Sequence, residues 1–300
     1  MAAKKKKKKY RGFWIFVKVQ FVLFLLVLGG LGYYGLGGYA SEVGSIRKEA
    51  DSLVRNSTEE TFRRYRTSVV YAADGSVISK LNDQGASYYL KRDEIPQSVI
   101  DAVVCMEDQR FYQHRGVDFR ALVRAAKSLM ENRKITQGGS TITMQLARNV
   151  FLTQEKTWQR KVEEIFIAQN LEKKYTKDQI LEFYLNNIYY GNGYYGIGAA
   201  GRGYFDSEVG DLDLSQIAFL CAIPNNPTVY DPVTHMDHAI ERRDRILGKM
   251  RDDGKITQMA YAAAVAENIT LKRPDAMEKN NYVETYAYYC ATRALMGQAG

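Results

Sequence analysis

The first strong pattern in the chain is an apolar run from Phe13 to Leu36, interrupted only by Lys18 and Gln20. Residues 21–36 carry no charge and, with Val19, approach the ~20 residues that cross a bilayer core. Trp14 at one end, and Tyr33, Tyr34 and Tyr39 at the other, suit the membrane interfaces. The pattern predicts a transmembrane anchor over 13–36. Residues 37–66 are polar, with scattered apolar positions (Val43, Ile46, Leu53, Phe62), and predict a helical connector. Val69-Val70-Tyr71 and Val77-Ile78-Ser79 flank Asp74-Gly75, which predicts a β-hairpin within 67–90, with Tyr88-Tyr89-Leu90 as a third short strand.

From Pro96 the period changes to that of a helix. Val99, Val103 and Met106, with Ile100 and Val104, mark a buried stripe. Helical spacing returns over 122–129, 141–149, 157–174 and 176–188, and Thr176 with Gln179 forms a capping box for the last of these. Further helices fit 215–223 (closed by Pro224), 239–252 and 258–267. The expected fold is mainly α, with a helical core over 96–272, a small β-hairpin element before it and one transmembrane helix preceding both.

A length of 300 residues at 46% hydrophobic content is enough for one sizeable core. The net charge of +8 is concentrated in the first residues. Lys4 to Lys9, Arg11 and Lys18 supply eight positive charges with no acid among them, so the rest of the chain is formally neutral. That distribution argues against nucleic acid as a partner. A basic tail over 1–12 belongs on the cytoplasmic side, which places everything after about residue 40 outside the cell membrane. A cleaved signal peptide ending at Gly38-Tyr39-Ala40 is the competing reading, but the apolar run exceeds a usual signal core. Cys105, Cys221 and Cys290 are widely spaced in apolar helical contexts and predict free, buried thiols.

Candidate chemistry gathers between Glu107 and Phe205. Glu107 ends an otherwise apolar helix, where burial raises a carboxyl pKa and favours general acid or base work, although an isolated Glu-Asp pair is more often a solvated helix end. His114 reads as structural. Gly138 and Gly139 precede Ser140 and Thr141, which can cap the next helix and favour an anion there; a plain loop-to-helix junction fits equally well. Ser140 has no His/Asp partner set and is not a nucleophile. Arg160 and Lys161 share a helical face with Glu164, a surface ion-pair cluster or a positioned carboxylate. Arg148, Lys156 and Arg160 add positive charge suited to a diphosphate. Six glycines and two alanines between Gly191 and Gly203 allow close backbone approach, and Tyr184, Tyr189, Tyr190, Tyr194 and Tyr195 are core residues or sugar platforms.

Five ordered segments carry a resemblance. They are Glu107-Asp108-Gln109-Arg110-Phe111 with His114-Arg115-Gly116; Gln137-Gly138-Gly139-Ser140-Thr141-Ile142-Thr143; Arg160-Lys161-Val162-Glu163-Glu164; Ile180-Leu181-Glu182-Phe183-Tyr184-Leu185-Asn186; and the glycine-rich run. Together they resemble the peptidoglycan glycosyltransferase domain (family 51) of class A penicillin-binding proteins and monofunctional transglycosylases, over about residues 69–250. The resemblance implies a lysozyme-like, mainly helical domain over 67–272 that polymerises lipid II into β-1,4 glycan strands and releases undecaprenyl diphosphate.

By matching positions, Glu107 resembles the general base and Glu164 the second carboxylate, which acts directly or through Mg²⁺ or another divalent cation. Asp108, Phe111, Ser140, Thr141, Gln145, Arg148, Asn149, Lys156 and Arg160 resemble substrate-binding residues, and Lys127 to Thr136 the mobile segment between donor and acceptor sites. Met144 replaces the family's usual glutamine, and Arg148 its commoner lysine. The implied partners are lipid II, the growing glycan chain, the lipid bilayer and other cell-wall synthesis proteins.

Ser45-Ile46-Arg47-Lys48 matches SxxK by chance, and there is no KTG. Residues 281–286 resemble the linker to a transpeptidase domain, so 273–300 is expected to begin such a linker in a fragment of a bifunctional protein. Two other functions share some of these features. A lytic glycan hydrolase would use the same carboxylates with water, and a membrane-anchored cell-wall scaffold would have lost catalysis.

Overall fold

The computed structural model describes residues 2–63, 68–71, 77–81, 88–132, 139–153, 155 and 157–272. Among the described residues the fold is mainly α. Helix α1 (Ala2–Asn56) runs through both the predicted anchor and most of the predicted connector without a break. The expected connector ends earlier than 66, at Asn56, and a short 3₁₀ turn follows at Glu59–Phe62. Among the described residues, no helix is long and apolar enough to cross a membrane. Val19, Phe21, Leu23, Leu25 and Leu28 of α1 are nevertheless exposed.

Strands β1 (Ser68–Tyr71) and β2 (Val77–Leu81) pair antiparallel. The Asp74-Gly75 turn between them lies outside the described residues. The third expected strand does not form. Leu90 instead donates its N–H to Asn186 Oδ1 (2.9 Å) and accepts from Asn186 Nδ2 (2.8 Å), so a side-chain amide takes the place of a neighbouring strand.

The helices that follow are α2 (Gln97–Glu107), α3 (Phe119–Asn132), α4 (Ile142–Phe151), α5 (Trp158–Lys174) and α6 (Lys177–Asn187). After them come α7 (Ile197–Phe205), α8 (Leu214–Ala222), α9 (Met236–Asp252) and α10 (Gln258–Ala266). Caps set several starts: Thr141, Thr157 and Thr257 each accept a backbone N–H, and Thr176 with Gln179 forms the expected box.

Helix α7 was not expected from the sequence, and Gly198, Gly201 and Gly203 weaken its helix propensity. Packing accounts for them. A Cβ on Gly198 would lie 2.5 Å from the Tyr88 carbonyl oxygen, and one on Gly203 would enter the Tyr194 ring.

Helix α6 is buried on nearly every side (Ile180, Leu181, Phe183, Tyr184, Leu185) and is packed by α4, α5 and α7. Phe62 lies flat on Phe183, with centroids 4.0 Å apart, and ties the end of α1 to this core. Such stacking adds roughly 0.5–1.5 kcal/mol beyond area burial. The second half of α1 lies along α5: Tyr39 meets Trp158, Asn170 donates to Asp51, and Lys174 Nζ donates to the carbonyls of Val54 and Arg55 (both 2.9 Å) and of Ser57.

Candidate active site

Glu107 is the last residue of α2, and the chain leaves the helix at Asp108 (φ −157°, ψ 71°). That break turns the two neighbouring carboxylates towards different partners, although both border one cleft. Glu107 reaches a cleft of 760 Å³ between α2, α4 and α9. Its Oε1 accepts from Arg242 Nη2 of α9 (3.0 Å) and its Oε2 from Gln145 Nε2 of α4 (3.1 Å). The Tyr184 hydroxyl donates in turn to Gln145 Oε1 (3.2 Å). Burial, reinforced by the Glu107 charge, raises the Tyr184 pKa well above its ordinary range, so this hydroxyl stays a donor. Two donors thus fix a carboxylate that keeps 14% of its side-chain surface exposed.

Asp108 turns inward. It accepts from the Ile142 N–H at the start of α4 (3.1 Å) and faces His114 Nε2 (2.9 and 3.0 Å). Thr141 caps the same helix through the Met144 N–H and donates its hydroxyl to the Gly116 carbonyl (2.6 Å). Gly116 must be glycine, since at φ +87° a Cβ would stand 2.6 Å from the Ala168 carbonyl oxygen. His114, Asp108 and Thr141 therefore form a buried support for the N-terminus of α4. Phe111 is fully buried under Lys177 (Nζ 4.1 Å from the ring centroid), so it backs the site and does not line it.

Ser140 lines the cleft and accepts from Lys161 Nζ (3.1 Å); the same ammonium donates to Glu164 Oε2 (2.6 Å). Glu164 is buried, with Arg160 Nε 3.5 Å from its Oε1, and neither Glu164 nor Arg160 is part of the cleft wall. One buried carboxylate between two cations is the wrong donor set for a divalent metal, which takes several oxygen ligands. Among the described residues no group of three His, Cys, Asp or Glu side chains could hold one. The expected metal site at Glu164 does not fit the residues present.

Gln145 and Arg148 line the cleft as expected, while Asn149 is half-buried outside its wall. Lys156 and part of the 127–136 segment lie outside the described residues. Tyr184 and Tyr190 are fully buried, which excludes both as sugar platforms, and the half-buried Tyr194 packs against Gly203. Tyr189 stays partly exposed, 4.8 Å from the Tyr195 ring.

The Transglycosylase family model matches residues 74–251. The chain belongs to this family. Penicillin-binding protein 4 of Bacillus subtilis (strain 168) is 40% identical over 238 residues, which cover 78% of this chain and 38% of that protein. Penicillin-binding protein 1F of the same strain is 44% identical over 210 residues, 68% of this chain and 29% of the relative. The chain therefore spans less than two fifths of the length of these curated relatives. The crystal structure of penicillin-binding protein 1A from Haemophilus influenzae aligns over 77% of this chain and 24% of that one, with a TM-score of 0.45 and 21% identity.

In this transglycosylase-family chain, the sequence reading missed the wall supplied by α9. Arg242, Arg245 and Lys249 all line the cleft, and Arg124 of α3 joins them. Their spacing of three and seven residues places the α9 cations on one helical face. That spacing was the available signal, but it is shared by many solvated helices.

Proposed function

We propose that this chain is a peptidoglycan glycosyltransferase that polymerises lipid II, with Glu107 as general base. The observation that carries the reading is the placement of Glu107. It is a carboxylate held by two donors on the wall of a cleft whose other walls bring Arg124, Arg148, Arg245 and Lys249. A carboxylate within reach of the acceptor 4-hydroxyl takes its proton as the oxygen attacks the anomeric carbon. The bond from that carbon to the diphosphate breaks with inversion, and undecaprenyl diphosphate leaves with the electron pair. Cations around the cleft favour the extra negative charge that builds on the leaving diphosphate.

Glu164 works at one remove. It holds the Lys161 ammonium against Ser140 at the cleft lip and is a positioning residue, not a group that touches substrate.

The exposed apolar residues of α1 between Val17 and Leu28, preceded by the lysine-rich tail, support a single-pass membrane anchor with a cytoplasmic N-terminus. Protease added outside sealed cells should cleave after residue 40 and spare residues 1–12. Cleavage within the lysine tail would reverse the orientation.

The deciding experiment is polymerisation of labelled lipid II in detergent by the parent, Glu107→Gln and Glu164→Gln, each with and without Mg²⁺. Glycan ladders are expected from the parent and none from Glu107→Gln. Glu164→Gln should lower the rate by the same factor at every Mg²⁺ concentration. Ladders from Glu107→Gln at the parental rate would sink the assignment of the base.

A further inference from the structure

A second cavity, of 460 Å³, opens on the other side of the 110–120 loop. Arg110 and Asp118 belong to the walls of both cavities, so their 3.2 Å ion pair is the partition between them. The charge lining the second cavity is unbalanced. Asp118 is already committed to Arg110 and to the backbone N–H groups of Arg120 and Ala121. Glu172 is committed to Lys177 Nζ and the Thr143 hydroxyl (both 2.7 Å). Facing them, Arg115 and Arg120 are exposed and make no ion pair among the described residues. Lys173 donates only to the side-chain oxygen of Asn170 among those residues.

His114 bridges the partition. Its Nε2 faces Asp108, which lines the reaction cleft, while its buried Nδ1 has no hydrogen-bond partner although His114 is part of the second cavity's wall. Phe119, 65% exposed, adds an apolar shelf at the rim.

We infer that this cavity takes a carboxylate of the peptide carried by the sugar that reacts at Glu107. The inference rests on the glycosyltransferase reading above. Two guanidinium groups without an ion pair among the described residues match a carboxylate in charge, and each presents the planar fork that a carboxylate accepts. A peptide attached to a sugar in the cleft gains about 3.3–3.6 Å of reach per residue, and the wall it has to pass is the Arg110–Asp118 pair that the two cavities share.

A phospholipid headgroup offers similar anionic chemistry, but the helix arrangement disfavours it. Helices α1 and α5 run in the same direction, with Tyr39 beside Trp158 and Val54 beside Lys174. The exposed apolar stretch of α1 therefore leaves past the Trp158 end, whereas Gln169 and Lys173 of this cavity lie towards the other. At 1.5 Å per residue, Lys173 is about 22 Å along α5 from that end.

The test compares the parent with Arg115→Gln/Arg120→Gln on lipid-linked disaccharide bearing the full peptide and on the same donor without it. The double variant should raise KM about tenfold for the peptide-bearing substrate, with kcat unchanged, and leave the peptide-free substrate unaffected. Equal effects on both substrates, or none on either, would overturn the inference. Binding of the soluble disaccharide-peptide, which has no lipid, is measured in parallel by calorimetry on the full chain. This arm needs no turnover, so a parent that binds the peptide but makes no polymer would refute the glycosyltransferase reading alone. A parent that does not bind the soluble ligand refutes the peptide site. Loss of binding to phosphatidylglycerol vesicles in the double variant, with disaccharide-peptide binding retained, would assign the cavity to a headgroup and also refute it.

Discussion

At the residue scale, Arg242 governs the geometry of Glu107. Its guanidinium is buried, packs 5.0 Å from the Tyr230 ring centroid and reaches across 135 residues of sequence to Oε1. Replacing it with glutamine removes the charge-assisted donor and frees the carboxylate to rotate. Arg242→Gln should lower kcat about 10²-fold, the scale of a misplacement near 1 Å. It should also cost about 1–3 kcal/mol of stability, from the partner left unpaired. Steady-state kinetics beside thermal unfolding checks both, and an unchanged kcat would remove Arg242 from the site. Asp108 teaches the opposite lesson. A carboxylate adjacent to Glu107 in sequence is a buried support for α4, because one turn of backbone after the helix end faces the other way.

At the element scale, the link between α1 and α5 depends on the end of α1. The final carbonyls of a helix lack intrahelical donors. Lys174 Nζ meets those of Val54, Arg55 and Ser57, and brings a positive charge to the negative end of the helix dipole. Lys174→Met keeps the stem and removes the cap. The expected loss is about 1–2 kcal/mol, with faster amide exchange over residues 50–57. Unchanged exchange there would show that packing alone holds α1. Element boundaries were legible where caps were explicit, as at Thr176 with Gln179. Helix α7 was not among the helices expected from spacing; its glycines indicated close backbone approach, and the Tyr194 ring and the Tyr88 carbonyl oxygen are what approach them.

At the scale of the whole molecule, buried acids weaken the fold at high pH. Burial pushes the Cys105 and Cys221 thiols from an ordinary 9.0 up to about 12, with Asp253 adding to the effect at Cys105 and the Glu107 charge at Cys221. Raised values mean that the folded state prefers the protonated thiols. Their contribution is complete below pH 9 and is lost as pH rises towards 12. Tyr184 and Tyr190, raised well above their ordinary range by burial, act in the same direction. The melting temperature should therefore fall from pH 8 to pH 10.5, and iodoacetamide at pH 8 should modify Cys105 and Cys221 only in denaturant. Labelling of either thiol in the folded chain would contradict its burial.

The sequence by itself determined the helical period, the caps at Thr141 and Thr176, the order of the five motifs and the concentration of charge in the first residues. Each of these is set by residues a few positions apart. Tertiary structure decided that Glu107 meets Arg242 and Gln145 while Asp108 supports a helix, which cations line the cleft, and that Glu164 is buried between Arg160 and Lys161. Burial and hydrogen-bond partners come from segments that meet only when the chain packs. The pairing of α2 with α9 through Glu107 and Arg242, and the partition formed by Arg110 and Asp118, therefore had no local signature.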